Sequence, residues 1–346
     1  MKHLILKKER FNQFISLLTR KHKVIAPVAK GHDNYAFQQV SSGEEIALKY
    51  IPTILPPKKY FMPQYETILE YDTMWGQNMK AVVEYEKMVL FGVHTCDLAG
   101  IQVLNIVFSE RPKDFNYLAR KNKIILIGLE CNEYCDEYAS CGLMNNTLPS
   151  GGFDLFFTDI EECFYVRVNT HEGDRIVEQI NVFEEAVGRH YMKLRELRAK
   201  KREIFKNEVG IEYHQIPELF DKSVDSPVWE ELGKRCLSCG NCTNVCPTCY
   251  CFNILDEINL DMKTGKRTRM WDSCQNESFA LVAGGENFRE ERSQRQRHRY
   301  YRKFKYNVDR YARFFCTGCG RCSRTCMAGI DLKETLKQLV EENVAK

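Results

Sequence analysis

Apolar runs and their spacing give the first half of the chain a mixed strand and helix character and the second half a mainly helical one. Met88 to Val93 (MVLFGV) is an unbroken apolar run of strand length, and Lys123 to Leu129 (KIILIGL) contains another. Between them, Asp97 to Val107 repeats with helical periodicity, and Asp97 stands where it can cap that helix. Strand, helix and strand in this order predict a parallel βαβ unit. Further strands are expected near 153–168, where FDLFFTDI is followed by CFYVRV. Residues 1–85 mix short alternating stretches (Glu45 to Ile51, and 81–86) with the turn residues Pro52, Pro56 and Pro57. From Asp174 to about Lys206 the pattern turns helical and highly charged, which predicts a connecting helix or helix pair. Gly210, Pro217 and Pro227 break the periodicity and place a domain boundary near 207–225. Beyond it, SPVWEELGKR has a helix start, with Ser226 or Asp225 as cap and Pro227 at the first position. LKETLKQLVEEN is a closing helix.

Composition adds one decisive fact. Net charge is only +3 in 346 residues, so bulk charge points to no partner, but sixteen residues are cysteine. A disulfide scaffold would be shorter and secreted. The N-terminal apolar run, Leu4 to Leu6, is too short for a signal-peptide core, and no apolar run approaches the roughly 20 residues that span a bilayer. The expectation is a protein of the cytoplasm with no membrane segment, in a reducing compartment that keeps thiolates available as ligands.

Eight of the cysteines form two copies of C-x2-C-x2-C-x3-C: Cys236, Cys239, Cys242 and Cys246, then Cys316, Cys319, Cys322 and Cys326. Three thiolates at i, i+3 and i+6 on a turning loop can converge on one cubane, and the fourth crosses to the neighbouring one. This assigns Cys236, Cys239, Cys242 and Cys326 to one [4Fe–4S] cluster, and Cys316, Cys319, Cys322 and Cys246 to a second. Gly240 and Gly320 follow the second cysteine of each run, where a positive φ lets backbone N–H groups approach cluster sulfur. Zinc takes separated C-x2-C pairs, which fit this doubled pattern poorly. Met327 stands where a proline is expected after the second run. The long insert between the runs is expected to be helical. The fold class that follows is an α/β domain over residues 1–215 and an alpha-helical dicluster ferredoxin domain over 216–346.

The other cysteines divide into groups. Cys96 lies at the strand-to-helix turn of the βαβ unit, and Cys131, Cys135 and Cys141 lie past its second strand, on the same sheet edge. Those four are candidate ligands of a third cluster, against the plainer reading of buried small residues. His94 beside that turn could hydrogen-bond a cluster or tune its potential, but ranks below the plainer reading of a structural histidine. Cys249, Cys251 and Cys274 are read as packing around a cluster, and Cys163 as core.

With those residues in view, RCLSCGNCTNVCPTCYC, RMWDSCQNESFALVAGGENFRE and FFCTGCGRCSRTC resemble the C-terminal half of one family. It contains the A subunit of anaerobic sulfite reductase and the beta subunit of sulfhydrogenase. PPKKYFMPQYETIL, GVHTCDLAGIQVLN and LIGLEC agree more loosely. Where family members tend to carry C-F-C and Ser-Met-Gly, this chain has ASCGLMNN, so only Cys141 and Met144 fit. The resemblance implies an electron-transfer subunit between a flavin- and pyridine-nucleotide-binding partner and a catalytic subunit. That subunit carries siroheme in sulfite reductase, the reading placed first, and a NiFe site in sulfhydrogenase, the alternative. No G-x-G-x-x-G follows a strand, so the chain has no nucleotide fingerprint of its own.

Two other readings compete. Residues 289–305 interleave arginines with Tyr300, Tyr301 and Phe304, a composition that suits nucleic acid. Glu290, Glu291 and the position between the cysteine runs favour a solvated or partner-facing helix instead, with no nucleic acid bound. Alternatively Cys249, Cys251 or Cys274 could make the chain a thiol or sulfur reductase in its own right, but Cys246 of the CPTC motif is already assigned to a cluster.

Overall fold

The computed structural model describes residues 2–73 and 78–344. Strand β1 (Lys2–Lys7) leads through helix α1 (Phe11–Thr19) into a hairpin of β2 (Lys23–Ala29) and β3 (Tyr35–Gln39). Strands β4 (Tyr65–Asp72) and β5 (Lys80–Ala81) form a second antiparallel pair. The predicted βαβ unit follows as β6 (Met88–His94), α2 (Thr95–Ser109), the short α3 (Phe115–Lys121) and β7 (Ile124–Leu129), with β6 and β7 parallel. Next come β8 (Leu155–Asp159), β9 (Cys163–Val168), α4 (His171–Gln179), β10 (Glu184–Glu185) and α5 (Gly188–Ile204). The charged stretch after 174 is thus a helix pair.

Eight strands form one sheet in the order β10-β1-β9-β8-β7-β6-β2-β3. Its centre, β2, β6, β7 and β8, is parallel, and its flanks are antiparallel. The apolar runs are unbroken because both faces are covered. Val89, Phe91, Ile125 and Ile127 pack on one face with Phe14, Ile15 and Leu18 of α1. Leu90, Ile124 and Leu126 pack on the other with Leu98, Ile101 and Leu104 of α2. Gly92 has φ +77° at the register shift in β6, a bulge that re-aims the strand end where His94 sits. The alternating stretch at 45–51 is not a strand: it is a loop that drops Ile46 and Tyr50 into the two core layers. Of 81–86, only Ala81 pairs.

The second half runs α6 (Ile216–Lys222), α7 (Val228–Arg235), the one-turn α8 (Asn241–Asn244), β11 (Phe252–Ile258), β12 (Thr264–Trp271), α9 (Arg292–Phe304), α10 (Tyr306–Tyr311), the one-turn α11 (Arg321–Arg324) and α12 (Leu332–Val344). The insert between the cysteine runs, expected to be helical, therefore contains a β-hairpin. That hairpin completes a second sheet, β11-β12-β4-β5, with strands from both halves of the chain. A buried ion network holds it down. Arg269 on β12 donates to Glu66 on β4 at 2.6 and 2.8 Å and pairs with Asp114 before α3, while Arg120 pairs with Glu66 at 2.6 Å. Among the described residues no helix is long and apolar enough to cross a membrane.

Candidate metal centres

Each cysteine run folds as an open loop, a left-handed glycine and a single helical turn. Gly240 (φ +71°) precedes α8 and Gly320 (φ +73°) precedes α11. Space demands glycine as well. A Cβ at Gly240 would lie 2.9 Å from Ser273 Cβ, and one at Gly320 would lie 2.8 Å from the Tyr138 carbonyl carbon. The turn ends the triplet and starts the fourth cysteine toward the neighbouring loop.

The eight cysteines line two adjacent cavities open to solvent, each with about 430 Å³ of free space. Cys236, Cys239, Cys242 and Cys326 line the first; Cys316, Cys319, Cys322 and Cys246 line the second, and Cys322 also reaches the first. The fourth cysteine of each run therefore stands in the other run's cavity. The donor set suits iron–sulfur clusters: four thiols per cavity, with N–H groups and cations aimed at sulfur. The Ser238 backbone N–H donates to Cys236 Sγ at 3.3 Å, Gln296 Nε2 donates to the same sulfur at 2.9 Å, and Ile330 N–H donates to Cys326 Sγ at 3.4 Å. Lys303 Nζ lies 3.3 Å from Cys246 Sγ.

Burial pushes the Cys242 thiol up to about 12 and the Cys319 thiol to about 11, so ligation must displace protons that burial favours keeping. Buried cations oppose that cost. Arg299 lines both cavities, and although burial disfavours its charge, Cys242 and Cys322 beside it hold its pKa well above the ordinary value. Burial likewise works against Lys303, and the Cys246 and Cys249 thiols more than compensate.

The basic aromatic run at 289–305 is α9, which supplies these cations. It was expected to be solvated or partner-facing. Instead Arg295, Gln296, Arg299, Tyr300, Tyr301, Lys303 and Phe304 are buried, because the helix forms a wall of the cysteine cavities.

The second cysteine loop is seated against the first half of the chain. Arg321 and Asp97 form a bidentate pair at 2.8 and 2.8 Å, with both side chains fully buried, and Arg321 Nε donates to the Thr53 carbonyl at 2.6 Å. Asp97 is thus not the helix cap: α2 starts at Thr95, and the carboxylate is spent on Arg321. Ser140 N–H donates to the Gly318 carbonyl at 2.8 Å, so the loop carrying Cys141 rests on the loop carrying Cys319.

The N-terminal candidates divide. Cys131 and Cys135 come together with His94, all three donor atoms lying within 4.8 Å of one another, on the wall of an open cavity of about 1190 Å³. The hydrogen bond from Cys135 holds the Cys131 thiol well below its usual range, with His94 adding to the effect, and the shared proton raises Cys135. Glu130, just before Cys131, is buried and fixed by Lys201 of α5 at 2.7 Å and by Thr158 at 2.6 Å. Cys96 is buried in the first turn of α2, within electrostatic reach of Cys131 and Cys319, and Cys141 feels the Cys131 charge. His94 stacks on Tyr50 with ring centroids 3.9 Å apart, and its Nδ1 is buried without a hydrogen-bond partner. From sequence alone its cluster-tuning role ranks below a structural one. Its place at the end of a parallel strand, two residues from Cys96, was the available signal.

Cys249, Cys251 and Cys274 line a separate cavity beside α9, where Cys249 touches the Cys246 thiol and Lys303 Nζ reaches both sulfurs, at 3.2 and 3.3 Å. Cys163 is core, next to Glu162 and His190.

Comparison with known proteins gives two matches. Residues 235–330 match the model of a 4Fe-4S dicluster domain. The whole chain is similar to sulfhydrogenase 2 subunit beta of Pyrococcus furiosus, 35% identical over 345 residues, which cover 99% of both chains.

Proposed function

This chain belongs to the family of sulfhydrogenase beta subunits, iron–sulfur electron-transfer components, and from that premise we propose that it serves a sulfhydrogenase-type, multi-subunit oxidoreductase. The sulfite reductase reading placed first gives way to this one, because the relative that matches end to end carries the sulfhydrogenase name. The partners we assign are a flavin- and pyridine-nucleotide-binding subunit on one side and a NiFe catalytic subunit on the other. Sixteen free cysteines suit a reducing compartment such as the cytoplasm.

We assign Cys236, Cys239, Cys242 and Cys326 to one [4Fe–4S] cluster and Cys316, Cys319, Cys322 and Cys246 to another. The crossed lining of two adjacent cavities is the observation that carries this. A third centre is assigned to Cys131 and Cys135 with His94, and with Cys96 and Cys141 beside them. When bound, such clusters supply one-electron carriers. The protein's part is to fix their spacing and charge. Arg299 lies between the two cavities, and the Asp97–Arg321 pair locks the N-terminal cysteines to the second loop. Division into residues 1–215 and 216–346 stays as our reading of the two cysteine territories, joined by a shared sheet.

The test is to purify the native complex anaerobically. Co-purifying nickel, with hydrogen-dependent reduction of this chain's clusters, supports the assignment. Siroheme absorbance in place of nickel overturns it in favour of sulfite reductase.

A further inference from the structure

Apart from Cys163 in the core, three cysteines remain after the centres above are filled, and they share one cavity. Cys249, Cys251 and Cys274 line a space of about 870 Å³, twice that of either dicluster cavity. His298, Arg299, Arg302 and Lys303 of α9 line its opposite wall, at i, i+1, i+4 and i+5 of one helical face. No acidic side chain lines it. Arg299 and Lys303 are shared with the cavity of Cys316, Cys319, Cys322 and Cys246, so the two spaces are neighbours. Arg299 is buried, and its Nε has no hydrogen-bond partner.

We propose that Cys249, Cys251 and Cys274, with His298 as the fourth ligand, hold an additional iron–sulfur cluster beside the dicluster pair.

Charge is the first argument. An oxidised [4Fe–4S] core with three thiolates and a neutral imidazole carries one net negative charge, and two after one-electron reduction. Arg299, Arg302 and Lys303 around the cavity oppose that charge, and no carboxylate among its lining residues competes for them. Size is the second: by the measure of the two dicluster cavities, the space is large enough for a cubane. His298 lines the same cavity as the three thiols, from the helix that faces their loops. The loop is also held in place from the first half of the chain. Lys58 Nζ donates to the Cys249 carbonyl at 2.9 Å and sits 4.1 Å from the Trp271 ring centroid. The rival is a redox dithiol, because the Cys251 and Cys274 thiols are in hydrogen-bonding contact.

The experiment compares iron per chain and EPR spectra of the full chain, purified anaerobically, with those of Cys251→Ser, Cys274→Ser and His298→Cys. The serine variants should each lose about four irons while the dicluster signals stay. His298→Cys should keep the iron and shift one signal, a readout that a structural role would not move. Cys319→Ser in parallel reports on the dicluster assignment separately, so the failure of one reading is distinguishable from the failure of the other. If a serine variant does not fold, alkylation of the unsubstituted protein decides: Cys249, Cys251 and Cys274 should be labelled only after iron is chelated out. Unchanged iron in the serine variants, or labelling of these thiols in the iron-loaded protein, overturns the proposal. A Cys251–Cys274 disulfide that forms reversibly with iron unchanged would establish the dithiol in its place.

Discussion

The cavities of the two cysteine runs gather thiols from loops of eleven residues with fixed internal spacing, whereas His94, Cys131 and Cys135 are gathered from the ends of parallel strands β6 and β7. In the first case a local motif does nearly everything: i, i+3 and i+6 thiols, a left-handed glycine, then one helical turn. In the second, the sheet does the gathering, and a bulge at Gly92 and a buried Glu130–Lys201 pair do the aiming. A local motif keeps its meaning in any fold that can accommodate it. A site assembled by topology exists only while the sheet does, so the two regions should fail differently.

The largest contrast should come from the thiols themselves. Cys239→Ser and Cys319→Ser should each remove about four irons per chain and abolish electron transfer through the assembled complex. Cys131→Ser should leave both dicluster EPR signals in place and remove only the N-terminal centre; loss of all signals together would show that the regions are not independent. Next is the link between them. Arg321→Met strands the fully buried Asp97 carboxylate and should destabilise the chain by about 3–5 kcal/mol in denaturant titration. The double variant Asp97→Leu with Arg321→Met should recover part of that loss, and no recovery would remove the ion pair as the cause. A smaller cost is expected for Gly320→Ala, about 1–3 kcal/mol, from the positive φ and the Tyr138 backbone above it. Smallest is Arg299→Met, which removes a cation between two negatively charged sites. The midpoint potentials should fall by on the order of 50–100 mV in EPR-monitored titration, and an unchanged potential would mean the guanidinium is neutralised by groups other than the clusters.

The same contrast explains what the sequence disclosed. The apolar runs at β6 and β7 and the helical period of α2 were legible because burial on both faces leaves an unbroken apolar record. The hairpin β11–β12 was not. Phe252 to Ile258 is exposed almost throughout, so it carries no alternation, and its sheet depends on pairing with β4, far away in the chain. Asp97 looked like a cap because its partner Arg321 lies in the other half of the chain. The arginines of α9 looked like a solvated face because charge ordinarily is. Only the cavities behind them account for their burial. His94 carried no spacing signal, and its relation to Cys131 and Cys135 appears only when β6 and β7 are laid side by side.

The exchange of the fourth cysteine between runs has a consequence for biogenesis. A nascent chain that has exposed Cys236, Cys239 and Cys242 still lacks Cys326, which is made ninety residues after Cys236. The other cavity needs Cys246 from the earlier run and three thiols from the later one. Neither cubane can be closed before the later run is made, so a translation product interrupted between the runs holds no finished site. The cubane that needs Cys326 is the last that can close, so its metallation reports that both runs have been made.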